Sequence, residues 1–115
     1  MFEQYSKTSK RTVREEINTD KMSFKALKEF VGQVVKVDGF FFTEGKYGKQ
    51  VVIVGNGAKI NIPKRYTPDF EKIRDNDEEL AYVLKGGLEL VDIHEGDSSN
   101  GRTVYFTMRD ALASN

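Results

Sequence analysis

The chain has 115 residues, of which 38% are hydrophobic and 31% are charged, as expected for one folded domain rather than a disordered chain. This length is too short for an enzyme built from two subdomains. Cysteine is absent, which excludes a disulfide framework, a thiolate zinc site and a cysteine nucleophile. No apolar run approaches the roughly 18 residues that span a bilayer, and the first residues lack the apolar stretch of a secretory signal. We therefore expect a cytoplasmic protein that does not contact a membrane.

Charge is balanced over the whole chain but not within its halves. The net charge is zero, yet residues 1–65 carry 13 Lys and Arg against 7 Asp and Glu, whereas residues 66–115 carry 5 against 11. Such an asymmetry predicts a basic face opposite an acidic face, and ordinary fluctuation around neutrality is the alternative explanation.

The chain begins with a polar segment and continues with a helical pattern. Residues 1–20 are polar and mixed in charge, which predicts a flexible arm. Ser23 can cap a helix, and Gly32 is suited to end one, because glycine readily adopts the left-handed conformation. Between them, apolar residues recur at three- and four-residue spacing and predict a short amphipathic helix: Phe24, Leu27, Phe30 and Val31.

From Gln33 the hydrophobic period changes to two, which predicts the first strand. Gly39 within this pattern predicts a β-bulge at which the strand bends. Three phenylalanines follow at residues 40–42, and alternation places at least one ring on the outer surface, either as a stacking platform or beneath the amino-terminal helix. A second strand is predicted at residues 49–54 and a third at 58–62, with Ala58, Ile60 and Ile62 inward and Lys59 and Asn61 outward.

A helical region is predicted after the third strand. Thr67, Pro68 and Asp69 supply a capping hydroxyl, a proline in the first turn and an early acid, which together predict a helix start. Residues 75–77 predict a break into two short helices, and the glycines at 86–87 predict the end. The remaining elements are a fourth strand at 88–93, a loop at 95–101, a fifth strand at 103–109 with Val104, Phe106 and Met108 on one face, and a frayed end at 111–115.

The order of these elements predicts a mainly β fold with helices. Three strands in a meander, a helical insert and a terminal hairpin follow the order of the five-stranded oligonucleotide-binding (OB) barrel. We therefore expect an OB-fold-like domain over residues 21–110, in which the amino-terminal helix precedes the five strands of the barrel. Other small barrels share parts of this order.

The run VGQVVKVDGFFFTEGKYGKQVVIVGNGAKINIP, followed by a helix and a terminal hairpin, carries a family resemblance over residues 31–109. It resembles the small OB-fold single-stranded DNA-binding proteins of phages and mobile elements in Gram-positive bacteria. The resemblance rests on the element order, the glycine-flanked first hairpin and the basic, aromatic first half. It implies sequence-tolerant binding of single-stranded DNA during replication or recombination.

Binding of a single strand requires cations for the phosphates and flat side chains for the bases. In an OB barrel the face of the second and third strands and the loop before them form that groove. Tyr105 is predicted to be accessible because it shares a face with polar residues of the fifth strand. Each lysine has the alternative explanation of a solvated side chain that protects a sheet edge. The candidate nucleic-acid-binding residues are Lys36, Phe42, Lys46, Tyr47, Lys49, Lys59, Asn61, Lys64, Arg65 and Tyr105.

The sequence does not predict an enzyme. The single histidine, His94, has no second histidine or cysteine with which to bind a metal, and a histidine at a surface turn is the more common case. Residues 55–57 form a turn and lack the lysine and hydroxyl of a phosphate-binding loop. We therefore expect no catalytic residues, no metal site and no cofactor.

Two classes of partner remain open. The first is single-stranded DNA, with RNA as a variant, and pairing of open sheet edges gives such a barrel a route to a homo-oligomer. The second is another protein, because neutral net charge and the acidic helical region at 67–85 suit an interaction barrel, in which an exposed phenylalanine would be an anchor. Such a barrel would be an accessory factor of a phage or mobile element without nucleic-acid binding.

Overall fold

The computed structural model describes residues 12–13, 17–46, 48–99 and 101–112, which form a six-stranded, curled half-barrel sheet with two helices. Neither helix in this part of the chain is long and apolar enough to span a bilayer. The strands are β1 (Phe24–Ala26), β2 (Val35–Gly45), β3 (Gly48–Gly55), β4 (Ala58–Asn61), β5 (Leu88–Ser98) and β6 (Gly101–Asp110). The helices are α1 (Thr67–Asp75) and α2 (Asp77–Leu84), and short 3-10 turns lie at Thr19–Lys21, Leu27–Phe30 and Lys64–Tyr66.

The strands lie in the order β1-β4-β3-β2-β5-β6. The pair β1–β4 is parallel and all other described pairs are antiparallel. Strand β2 serves both halves of the sheet, because Val37 and residues 39–45 pair with β3 whereas Val35 and Lys36 pair with β5. The five predicted strands therefore form in the predicted order, and β1 is a sixth strand that the sequence analysis did not predict.

The predicted bend at Gly39 is confirmed, since the β2–β3 register shifts between Val37 and Gly39. Thr12 and Val13 lie directly on this glycine: Val13 pairs with it, and the Phe40 amide donates to the Thr12 carbonyl over 2.9 Å. A Cβ at residue 39 would stand 2.5 Å from backbone atoms of both residues, so only glycine permits this approach. The rest of the predicted arm, residues 1–11 and 14–16, lies outside the described residues, as do residues 113–115 of the predicted frayed end.

The predicted amino-terminal helix is wrong. Its residues form strand β1 and a 3-10 turn, and the Lys59 amide donates to the Ser23 carbonyl at the start of the β1–β4 pairing. Leu27 and Phe30 are buried as predicted, but Phe24 is exposed. Pairing with the open edge of β4 supplies hydrogen bonds that an isolated short helix would have to make within itself, and such helices are marginal on their own. Gly32 has a positive φ of 81°, but it follows a 3-10 turn and not the helix that it was predicted to end.

The core fills the concave face of the sheet. Phe40, Ile53 and Ile60 form one row across β2, β3 and β4, and Phe70 of α1 packs on Phe40 with a ring-centroid distance of 5.2 Å. The inward positions predicted for the third strand and for the fifth strand are confirmed by their packing in or against this core. Val52 on the opposite face is also fully buried, so both faces of β3 are covered there.

Two local predictions are corrected around the helices and the last hairpin. Thr67 does not cap α1: it lies within the helix, and its buried Oγ1 has no hydrogen-bond partner among the residues that the structure describes. The predicted break is confirmed, because the Asn76 side chain accepts from the Glu79 amide and caps α2. The loop predicted at 95–101 is largely strand, since β5 continues to Ser98, and a bulge at Asp92, which has a φ of 52°, accounts for the imperfect alternation there.

Candidate nucleic-acid interface

An open groove lies between the two edges of the curled sheet. Strand β4 pairs with β3 on one side and β1 on the other, and in the described part of the chain β6 pairs with β5 alone. The space left between them has a volume of about 400 Å³. We call it the seam groove; its lining includes Phe24, Lys25, Lys28, Asn61, Thr103 and Val104.

The residues that line the seam groove differ in charge from those that line a larger cleft elsewhere in the molecule. Among the described residues, two lysines and no acidic side chain line the seam groove. A cleft of about 840 Å³ between the helices and the β5–β6 hairpin, here called the acidic cleft, is lined by Asp69, Glu78, Glu79 and Asp110 and by two cations. The basic and acidic halves of the sequence thus contribute to separate concave surfaces.

Phe24 forms an exposed ring at one wall of the seam groove. Its side chain is 55% exposed, although most large apolar residues of the fold are buried. Lys59 lies opposite it in the β1–β4 register, and the Lys59 Nζ is 4.3 Å from the ring centroid. The site therefore combines a flat apolar surface with a cation at close range, as stacking and phosphate attraction require.

Arg65 connects the helical side of the seam to β6. Its guanidinium donates to the Thr103 hydroxyl over 3.1 Å and to the Val104 carbonyl. The Cζ atom also lies 4.2 Å from the ring centroid of Tyr105 and 4.8 Å from that of Tyr66. Arg65 is thus already committed to contacts within the protein. Arg65 contacts Thr103 and Val104 of the groove wall, and these contacts help to fix the shape of that wall.

Tyr105 lies on the outer face of the β5–β6 hairpin and is half-buried. Its hydroxyl donates to the Asp97 carbonyl over 3.0 Å, and its ring covers Gly96, where a Cβ would stand 2.9 Å from the ring. The ring is therefore held in one orientation by its hydroxyl hydrogen bond and by its packing on Gly96, which has no side chain.

Several predicted site residues lie away from the seam groove. Phe42 is on the concave face, where it contacts Phe40 edge to face, and Arg74 lies 4.9 Å above its ring. Lys49 forms an ion pair of 3.0 Å with Glu71 of α1. Both side chains have packing and charge partners in the fold that the two-residue period alone did not predict.

The remaining predicted cations are distributed along β2 and β3. Lys36 is exposed beside the β3–β4 turn, where its amide donates to the Asn56 side chain. Lys46 is exposed at the opposite end of β2, and the Lys64 ammonium lies near Gly48 of the same hairpin. Tyr47 lies outside the described residues. Of the ten predicted residues, the structure brings Lys59, Asn61, Arg65 and Tyr105 together at or beside the seam groove.

The sequence analysis missed the β1 side of the groove. Lys25 and Lys28 were not proposed as site residues, because their segment was assigned to a helix that packs on the sheet. The spacing of lysines at 21, 25 and 28 was the available signal, since it marks a basic segment beside the exposed Phe24.

One titratable group of the acidic cleft has a shifted pKa. Burial of the phenol, followed by the carboxylate of Asp110, which also accepts its hydrogen bond, raises the pKa of Tyr82 above the 10.0 of an unperturbed tyrosine. The Tyr82 ring also covers Gly87, where any Cβ would stand 2.3 Å from it. Among the described residues, no group of three histidine, cysteine or acidic side chains is placed to hold a metal ion.

No protein-family model, no curated protein and no solved structure matches this chain. The geometry of the seam groove and the charges around it are the features that indicate a function.

Proposed function

We propose that this chain binds single-stranded nucleic acid, DNA in the first place, through the seam groove and with little sequence preference. The observation that carries the proposal is a groove that, among the described residues, is lined by lysines without acids and has the exposed Phe24 at one wall. Proteins that bind single strands without sequence preference combine these two elements, because phosphates need cations and every base has a flat face.

We further propose that the sheet is of the OB type. Support comes from the meander β2-β3-β4, the pairing of β2 with both β3 and β5, and the helices between β4 and β5. Asn61 lies on the outer face of β4, which is part of the usual binding surface of that fold, and it lines the seam groove. The same correspondence supports a role like that of the phage and mobile-element proteins that the sequence resembles.

The cations near the groove set the expected salt dependence. Lys25, Lys28 and Lys59 are positioned to neutralise about three phosphates, which gives a slope of log affinity against log salt of about −2 for a single strand. A fourfold rise in salt concentration should then weaken binding by about 20-fold. Stacking on Phe24 should add about 1–3 kcal/mol, independent of salt.

Fluorescence anisotropy with labelled oligo-dT at about 50 and about 200 mM salt tests the proposal. We expect binding that weakens with salt and that falls further in K25E and in K28E, each made as a single substitution. K72E is the matched control, because it makes the same charge change in the lining of the acidic cleft. Absence of binding at low salt would overturn the proposal, and so would an equal loss in K72E.

A second pair of variants tests stacking alone. Phe24→Ala should weaken binding by at least about fivefold with the salt slope unchanged, because it removes a flat surface and no charge. Val31→Ala is the control, since Val31 is another exposed apolar residue of the same segment, at 42% exposure. Equal effects of the two substitutions would contradict a specific role of the ring.

The second candidate function is an interaction barrel for another protein. Phe24, Val31 and Val34 are all more than 40% exposed, and neighbouring exposed apolar residues often mark a protein-binding surface. A partner that this chain retains after nuclease treatment, and loses in Phe24→Ala, would favour this function. Release of the partner by nuclease would favour the first.

A further inference from the structure

Five planar side chains form a continuous series of ring contacts around the edge of β6. Phe106 and Tyr66 stack with centroids 4.0 Å apart, and Arg65 lies between Tyr66 and Tyr105 at 4.8 and 4.2 Å. Tyr105 in turn stacks on His94, with centroids 5.7 Å apart and an interplanar angle of 24°. We call this series the planar stack. It begins in the core at Phe106 and ends on the surface at His94, whose side chain is 53% exposed.

The local backbone fixes the orientation of the His94 ring. The β5–β6 register shifts between Val91 and His94, and Asp92 within this bulge has a positive φ of 52°. A bulge changes the direction of the side chains that follow it, and it places His94 opposite Tyr105. The His94 Nδ1 lies 2.8 Å from the Asp92 carbonyl and therefore donates to it. The outer end of the stack is thus held in place before any ligand arrives.

The acids near His94 point mainly to the other face of the hairpin. Glu95 and Asp97 pair with Val104 and Arg102, and alternation places these side chains opposite those of His94 and Tyr105. Asp97 is also ion-paired with Arg102 at 3.4 Å. Asp92 is the acid that lies near the His94 ring: its carboxylate oxygen is 3.8 Å from Nδ1, at the edge of the imidazole.

We propose that His94, as the exposed end of the planar stack, is a stacking site for one nucleobase of a strand held in the seam groove. This inference rests on the proposed function and assigns a second contact to the same strand. Continuity between the two is given by Arg65, which binds Thr103 and Val104 of the groove wall and also stacks on Tyr105. A ring that is already oriented loses little freedom when a base stacks on it, which favours binding.

The first test compares three variants in the oligo-dT anisotropy assay. His94→Ala should weaken binding by at least about fivefold with an unchanged salt slope, because a stacking surface and no phosphate contact is lost. His94→Phe should bind as the wild type does, since the flat surface is kept. Thr107→Ala is the control, because Thr107 is exposed on the same face of β6. Circular dichroism and thermal melting establish that all three variants are folded.

The second test moves a single abasic site along an oligonucleotide that is just long enough to fill the binding site, so that the strand cannot shift its register away from the abasic position. In the wild type one position should cost affinity through the loss of the stacked base, and in His94→Ala the cost at that position should disappear. If the wild type binds oligo-dT but His94→Ala binds equally well, the stacking site is wrong and the proposed function stands. If the wild type does not bind at low salt, both are wrong. Tight binding by the wild type with no position-dependent abasic effect also overturns the stacking site.

Discussion

Replacing Arg65 by lysine should separate its structural contribution from its charge. Lysine keeps the positive charge but loses the planar fork that donates to Thr103 and Val104 and lies over Tyr105. Each hydrogen bond contributes about 0.5–1.5 kcal/mol net, and solvent exposure of Arg65 favours the lower half of that range. With about 0.5 kcal/mol for an exposed cation–π contact, the expected loss in unfolding free energy is about 1.5–2.5 kcal/mol.

Urea denaturation followed by circular dichroism measures this loss. For a slope of about 1–3 kcal/mol per molar urea, the midpoint of Arg65→Lys should fall by about 0.5–2.5 M. Lys64→Ala is the control, because it removes an exposed cation from the same 3-10 turn and should change stability by less than about 0.5 kcal/mol. Wild-type stability in Arg65→Lys would refute the structural role, since the charge alone would then account for everything that Arg65 does.

Three further predictions concern stability. Gly55→Ala should destabilise the fold by about 1–3 kcal/mol in urea denaturation, because its Cβ would stand 2.4 Å from the Lys36 carbonyl, whereas Gly45→Ala, with 3.7 Å to the nearest atom, should change little. Asn76→Ala should lower the unfolding free energy by about 1 kcal/mol through loss of the α2 cap, and a thermal melt unchanged from the wild type would contradict this. Above pH 10 the unfolded chain loses the Tyr82 proton before the folded chain does, so stability falls as pH rises; melts at increasing pH should show a smaller fall in Tyr82→Phe.

The central strands could be predicted because their signals are local. Alternating valines, the glycine at the bend and the glycine-bounded turns each specify a conformation without knowledge of the rest of the chain. The inward set on β4 followed from the two-residue period alone. Local signals also located the break before α2, because Asn76 is a capping residue in its own right.

The amino-terminal segment could not be predicted in this way. Apolar residues at three- and four-residue spacing satisfy a helical pattern, yet the segment pairs with β4, more than thirty residues later in the chain. A free sheet edge is a tertiary feature, and its hydrogen bonds override the weak preference of a short helix. The Phe24 ring was consequently assigned to the core, whereas it is 55% exposed.

The candidate site was predicted only in part, because local patterns place residues on a face of a strand but do not report which strands meet. The alternation of side chains within each strand placed Lys59, Asn61 and Tyr105 on outward faces, because β4 and β6 are regular at these residues. This alternation does not indicate which outward residues of different strands lie close together in the fold. The bulge in β5 and the contacts of Arg65 with β6 decide that, and both depend on pairings between residues far apart in the sequence.

The position of β1 explains why this sheet has a groove at all. If β6 paired with β4, the barrel would close and the backbone edges at the seam would be hidden. Strand β1 occupies that edge of β4 in a parallel arrangement, so the two pairings exclude one another. The short segment around Phe24 therefore has two effects: it keeps the seam open, and it adds Lys25 and Lys28 to the wall it creates. Because one segment does both, a sequence change that removed β1 should close or collapse the groove as well as remove its lysines.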